Sequence, residues 1–168
     1  MTHTISRGKG SRTIRTAVAI GAATLGLVAL SACGEKPTPR ATVTVGSDSV
    51  STEAACYEDN GKISQDKVLS CAKEDADTSI TVGQGDLLRI GVDPEIAEDG
   101  WVLFLNGQPA VTDRITKTYR SFSGDAFFQN GGGQQGGEAQ SVQLSIVEYD
   151  GSDYRGVWNF ELERESED

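Results

Sequence analysis

Near the C-terminal end of the chain, two alternating stretches flank a single turn, and this pattern limits the fold more than any other feature. Between Ser141 and Val147, Val142, Leu144 and Ile146 alternate with Ser141, Gln143 and Ser145. Between Tyr154 and Glu163, Trp158, Phe160 and Leu162 alternate with Asn159, Glu161 and Glu163. Side chains of a strand point to opposite faces in turn, so each stretch buries one face and leaves the other for polar contacts. Asp150-Gly151 between them turns the chain. The pattern predicts two strands joined by a turn.

Upstream stretches repeat the theme. Ala41 to Val45 (ATVTV) and Thr78 to Val82 (TSITV) are β-branched and alternating, and a short strand is predicted within Ser49 to Ala54. Asp86 to Val92 (DLLRIGV) puts Leu88, Ile90 and Val92 on one face. Trp101 to Leu105 (WVLFL) is apolar throughout, as expected of a central strand, and Asn106-Gly107 ends it with a hairpin signal. Arg114 to Phe122 is predicted as one further strand, although neither of its faces is cleanly apolar. Ser123 to Asn130 suits a short turn of helix around Phe127 and Phe128, and Gly131 to Gly137 (GGGQQGG) a flexible loop. About seven strands between turn signals, with little helix, predict a mainly β chain: one antiparallel, immunoglobulin-like β-sandwich. Leu88, Ile90, Trp101, Leu103, Leu144, Ile146, Trp158 and Phe160 would fill its core.

The N-terminal end is built differently. Arg7, Lys9, Arg12 and Arg15 precede an apolar run from Thr16, and no acidic residue occurs before Cys33. A basic segment, an apolar segment and small residues before a cut describe a secretory signal peptide. The run ends Leu30-Ser31-Ala32-Cys33, which resembles a bacterial lipobox. That resemblance implies a diacylglyceryl group on the Cys33 thiol and cleavage that leaves Cys33 as the first mature residue. A retained signal anchor, and a non-lipidated peptide cut after Ala32, are the alternatives. The expected organisation is residues 1–32 as the signal, 33–40 as acylated cysteine and tether, and 41–168 as the β domain. No cofactor is expected beyond the lipid.

Removing the signal sharpens the charge. Four of the 15 basic residues and none of the 25 acidic ones would leave with it, so the mature chain carries a formal charge of −14. Such a surface repels nucleic acid and anionic headgroups, and attachment would rest on acyl chains. Acylation of Cys33 leaves Cys56 and Cys71, which outside the cytosol are expected to form a disulfide. The loop spans 16 residues, and closing it is worth ~3 kcal/mol in the chain-entropy model. Two free thiols or a two-thiolate metal site are the alternatives, the latter short of the four ligands of a structural zinc. Between the cysteines, Ile63, Lys67 and Cys71 fall at helical spacing but sustain no apolar stripe, so the segment is left as an excursion pinned by the bridge.

The only histidine, His3, lies in the signal. Histidine-based nucleophile systems and histidine metal sites are therefore excluded from the mature protein. Ser64-Gln65-Asp66-Lys67 and Ser70-Cys71-Ala72-Lys73 match S-x-x-K, but the companion motifs of a Ser-Lys hydrolase are missing.

Several segments together resemble an actinobacterial family of secreted lipoproteins of unknown function. They are the lipobox with Cys33-Gly34-Glu35-Lys36-Pro37-Thr38-Pro39, Val43-Thr44-Val45-Gly46-Ser47, and Thr52-Glu53-Ala54-Ala55-Cys56-Tyr57. Gly91-Val92-Asp93-Pro94-Glu95, Gly100-Trp101, Asn106-Gly107-Gln108-Pro109 and Val157-Trp158-Asn159-Phe160 complete the set. The resemblance implies a membrane-attached, disulfide-bearing exported domain and brings no site residues with it.

Three kinds of activity follow as expectations. The first is a non-catalytic binding or adaptor module on the outer face of the cell membrane, held by its lipid and meeting a protein or cell-envelope ligand, with Tyr57, Phe127 and Phe128 as loop contacts or as ordinary packing. The second is cation or cell-wall-glycan binding, with Asp93, Glu95, Glu98 and Asp99 on one acidic loop and Asp150 and Asp153 on another. Calcium needs six to eight oxygens, and no D-x-[DN]-x-[DN]-G loop is present. The third is a carboxylate-based hydrolase. The binding module is the expectation favoured, and no enzyme activity is assigned.

Overall fold

The alternation seen in the sequence becomes ten strands in a computed structural model that describes residues 37–59, 61–131 and 139–166. The signal segment, Cys33 and the glycine-rich stretch 132–137 lie outside the described residues. The strands are β1 (Ala41–Val45), β2 (Asp48–Thr52), β3 (Cys56–Tyr57), β4 (Ser79–Val82), β5 (Leu87–Val92), β6 (Trp101–Leu105), β7 (Gln108–Ile115), β8 (Tyr119–Ser123), β9 (Ser141–Tyr149) and β10 (Tyr154–Arg164). Three helices interrupt them: α1 (Gln65–Cys71), α2 (Pro94–Asp99) and α3 (Asp125–Gly131).

Two sheets form, one in the order β2-β1-β5-β8 and a larger one in the order β3-β10-β9-β6-β7. Every ladder is antiparallel except that of β4, which runs parallel to β10. β3 pairs with Gly156 and Val157, and β4 pairs with Glu161 to Arg164. The fold is thus a mainly β sandwich of two packed sheets. An immunoglobulin-like identity does not follow from it.

The core between the sheets is the one expected. Leu88, Ile90, Trp101, Leu103, Leu144, Ile146, Trp158 and Phe160 are all fully buried, each worth ~1.5–3 kcal/mol in apolar burial. Phe127 and Phe128 join them, at 4% and 1% exposure. They are core residues of α3 and not loop contacts.

Three expectations need correction. Arg114 to Phe122 is two strands, because the chain leaves the larger sheet after Ile115 and joins the smaller one at Tyr119. Ile115 is buried at the end of β7 and Phe122 is half-buried on β8, so no single face could be apolar throughout. The corner is held by Trp101, whose Nε1–H donates to the Lys117 carbonyl at 2.9 Å. The excursion between the cysteines contains α1, started by Ser64, whose hydroxyl accepts the Lys67 N–H. The acidic loop is α2. Pro94 occupies its first turn, where the absent N–H costs nothing, and Ile96 and Ala97 face inward.

The larger sheet has a second layer on its far side. Val102, Phe104, Val147 and Val157 pack there against Ile63, Val68, Cys71 and Ala72. The Cys56–Cys71 disulfide ties α1 to β3, with Cα atoms 6.1 Å apart. No glycine caps α1. Asn159 Nδ2 donates instead to the carbonyls of Cys71 and Glu74, Gln143 Nε2 to those of Ala72 and Glu74, and Ser145 Oγ to that of Ala72. These side chains satisfy carbonyls that a helix end leaves without internal partners.

The unit defined by these contacts is residues Thr38–Asp168. Pro39 is buried and its carbonyl accepts Trp158 Nε1–H at 2.8 Å, while Arg40 N–H donates to Asp93 Oδ2 at 2.8 Å. The last residues of the expected tether are therefore fastened to the domain. Among the described residues no helix is long and apolar enough to cross a membrane.

Candidate functional site

On β9 the period of two that turns Val142, Leu144 and Ile146 inward also turns Glu148 inward. Glu148 is only 2% exposed and stands opposite Trp101 in the ladder. A carboxyl group therefore occupies a position where the pattern calls for another apolar side chain. Its neighbours come from three elements. Asp99 and Glu95 lie on α2, Arg155 near the start of β10, and Tyr57 on β3.

Two backbone irregularities meet here. The β9–β10 register shifts between Tyr154 and Val157, and a bulge of this kind re-aims side chains at the end of a strand. Arg155, within that shift, sets its Nε 3.1 Å from Asp99 Oδ2. Gly156 beside it must be glycine, since a Cβ would come 2.4 Å from the Trp158 ring. Gly100, with φ of 96°, turns the chain from α2 into β6. Arg114 closes the same end, donating to the backbone carbonyls of Asp99 and Asp150.

The electrostatics follow from burial. Loss of solvent, then the hydrogen bond and charge of Asp99, push the Glu148 carboxyl from its ordinary 4.5 up to about 8, with Glu95 adding to the rise and Arg155 opposing it. At neutral pH Glu148 is therefore mostly a protonated acid hydrogen-bonded to Asp99. Its Oε2 has no hydrogen-bond partner. Arg155 Nε is also buried without a hydrogen bond, because its contact with Asp99 has ion-pair distance but lacks hydrogen-bond alignment. The Tyr57 phenol is pushed up to about 12, first by burial and then by the charges of Glu148, Asp59 and Glu95.

Chemically this is a pair of hydrogen-bonded carboxyl groups, one of them buried, with one guanidinium beside it. An acid titrating near neutrality suits proton transfer, but at 2% exposure Glu148 meets a substrate only if the end of the sandwich opens. What the closed arrangement does by itself is hold a proton and make this end sensitive to pH.

The acidic residues named from the sequence have separate roles. Asp93 receives the Arg40 N–H, Glu95 and Glu98 are exposed, and Asp99 turns inward to Arg155 and Glu148. Among the described residues, the one group of three potential ligands whose atoms lie within 4.8 Å of one another is Cys56, Cys71 and Glu74. Both of its sulfurs are joined in the disulfide. On the other loop, Asp150 Oδ1 accepts the N–H groups of Ser152 and Asp153 and the Ser152 hydroxyl, which holds its carboxyl down at about 2. Asp153 pairs with Lys62. Both are turn residues. Tyr57 packs on Trp158, with ring centroids 6.0 Å apart. Ser64 of the first S-x-x-K caps α1, and the second contains the bridged Cys71. Glu148 went unnamed in the sequence, although continuing the Val142-Leu144-Ile146 alternation by one step reaches it.

No protein-family model, curated protein or solved structure matches this chain.

Proposed function

We propose that the chain is an exported lipoprotein, anchored through a lipid on Cys33 to the outer face of the cell membrane, whose β-sandwich serves as a non-catalytic binding module. In this reading it belongs with the actinobacterial secreted lipoproteins that its sequence resembles. The supporting observation is the pairing of two features. Leu30-Ser31-Ala32-Cys33 follows an apolar run, and the remaining two cysteines form a disulfide, a bond that persists in oxidising compartments. The acidic mature chain argues for a protein or envelope ligand and against nucleic acid. Replacing Cys33 by Ala should release the protein from the membrane fraction or block its processing. Wild-type protein that itself keeps residues 1–32 in the membrane fraction would identify a signal anchor instead. In-cell crosslinking should recover a discrete partner or envelope fragment above an unrelated lipoprotein control.

One observation favours a second reading, a carboxylate-based hydrolase: Glu148 is buried beside Asp99, and burial and that neighbour push its carboxyl up to about 8. Hydrolysis of cell-wall glycan by the protein, lost in Glu148→Gln, would establish it. Absence of turnover by the folded protein would remove it.

A further inference from the structure

The outward faces of the two sheets differ in what covers them. That of the larger sheet carries α1 and its disulfide. That of the smaller sheet is formed by alternate residues of β1, β2, β5 and β8, and the ladder fixes their grid. Thr42 lies between Ser51 and Gly91, and Gly91 lies opposite Tyr119. One step along, Thr44 lies between Ser49 and Arg89, and Arg89 lies opposite Ser121.

Four properties of this face point to a ligand. The two large apolar side chains most exposed among the described residues, Leu87 at 51% and Tyr119 at 54%, both belong to it. Gly91 leaves a shallow step beside Tyr119, since a Cβ there would meet nothing nearer than 3.9 Å. The hydroxyls are already aligned: Thr42 Oγ1 donates to Ser51 Oγ at 3.1 Å, Thr44 and Ser49 share a bond of 2.9 Å, and Ser121 Oγ donates to the Tyr119 hydroxyl at 3.2 Å. The fourth property is charge. No outward position of these strands is acidic in a mature chain of formal charge −14. Arg89, in the middle of the grid, makes no hydrogen bond or ion pair among the described residues.

We propose that this face docks a carboxylate-bearing glycan of the cell wall. The inference rests on the reading of the protein as an extracytoplasmic binding module. A sugar ring would lay its C–H face on Tyr119, whose aromatic body and polar tip suit a half-wet contact. Ring hydroxyls would exchange hydrogen bonds with the Ser and Thr grid, and a carboxylate would accept from the Arg89 guanidinium. An acidic polymer is repelled by the rest of the surface and accepted here, so the charge also orients the approach.

The test uses the protein purified from membranes in mild detergent, with two probes. One is glycan strands stripped of their stem peptides, which carry free muramyl carboxylates. The other is the neutral N-acetylglucosamine tetramer. The proposal expects saturable backbone-amide shifts on β1, β5 and β8 with the acidic probe, and binding of the neutral probe weaker by about tenfold, as loss of one charge-assisted contact implies. Arg89→Gln should abolish the preference for the acidic probe, and Tyr119→Ser should weaken both. Equal affinity for the two probes, no binding of either, shifts confined to other surfaces, or a protein crosslinked across Arg89 and Tyr119 would each overturn it. The mapping on the unmutated protein decides the matter even if a variant fails to fold. Loss of glycan binding as a hypothesis would leave the anchor reading intact if the wild-type protein begins at a lipid-bearing Cys33. Wild-type protein that keeps residues 1–32 would remove the anchor reading while leaving the docking face untouched.

Discussion

On one side of the larger sheet, Asn159, Gln143 and Ser145 pass their donors to the carbonyls of Cys71, Ala72 and Glu74. On the other side, Glu148 is buried with one oxygen unpartnered, beside Asp99 and an imperfectly bonded Arg155. Both are polar groups inside the β9–β10 layer. The first set consists of neutral groups whose donors are used, with only the Asn159 Oδ1 left over. It fixes where α1 lies and has no protons to lose. The second set titrates, and its partial satisfaction is what moves the Glu148 carboxyl. Neutral polar groups used in this way give position, and a buried acid gives dependence on conditions.

The largest expected effect separates the two regions by pH. With its folded value raised from 4.5 to about 8, Glu148 makes the native state bind more protons than the unfolded chain between those values. Its contribution to stability is therefore greatest below pH ~4.5 and falls by about 1.4 kcal/mol per pH unit as pH rises towards ~8. Urea midpoints across that window should drop more steeply for the wild type than for Glu148→Gln, which mimics the protonated acid. Parallel slopes would show that Glu148 is not a buried proton store.

The bridge comes next. Replacing Cys56 and Cys71 together by Ser should cost about 3 kcal/mol, with the pH slope unchanged, read from the same urea transitions. Trp158→Phe removes the bond to the Pro39 carbonyl and also part of a fully buried ring, so about 1–3 kcal/mol is expected, with faster proteolysis near Thr38. A smaller loss falls on the neutral set. Asn159→Ala removes one of two donors from each of the Cys71 and Glu74 carbonyls, which keep the Glu74 N–H and Gln143 Nε2, and should cost about 1–2 kcal/mol, again with no new pH dependence. A pH-dependent loss there would break the comparison. The smallest change belongs to Arg155→Gln. Its ion pair with Asp99 is about one-third exposed on both sides, so stability should change by about 0–1 kcal/mol. The Glu148 carboxyl should titrate still higher once its only lowering neighbour is gone.

Most of the sandwich was legible in the sequence because its strands carry their own period. β1, β5, β6, β9 and β10 each place apolar residues on a face that the core then buries. What was not legible depends on contacts made from a distance. α1 has no sustained apolar stripe, and its C-terminal end is closed by Gln143, Ser145 and Asn159 from strands far along the chain. α2 looks like an acidic loop until Ile96 and Ala97 find the core. The passage from β7 to β8 changes sheets, which no local period records. The carboxyl cluster was half legible. Asp99 and Glu95 stood out as acids, but Arg155 and Tyr57 join them only through the bulge in β10 and the pairing of β3. Glu148 is an acid in an apolar register, and that mismatch is the signal that marks it.

The functional account turns most directly on the state of Cys33. Intact-mass and N-terminal analysis of the protein recovered from the membrane fraction should find Cys33 as the first residue, carrying a diacylglyceryl group, with Cys56 and Cys71 resistant to alkylation until reduced. A first residue upstream of Cys33, or an unmodified Cys33 thiol on protein recovered from the medium, would contradict it.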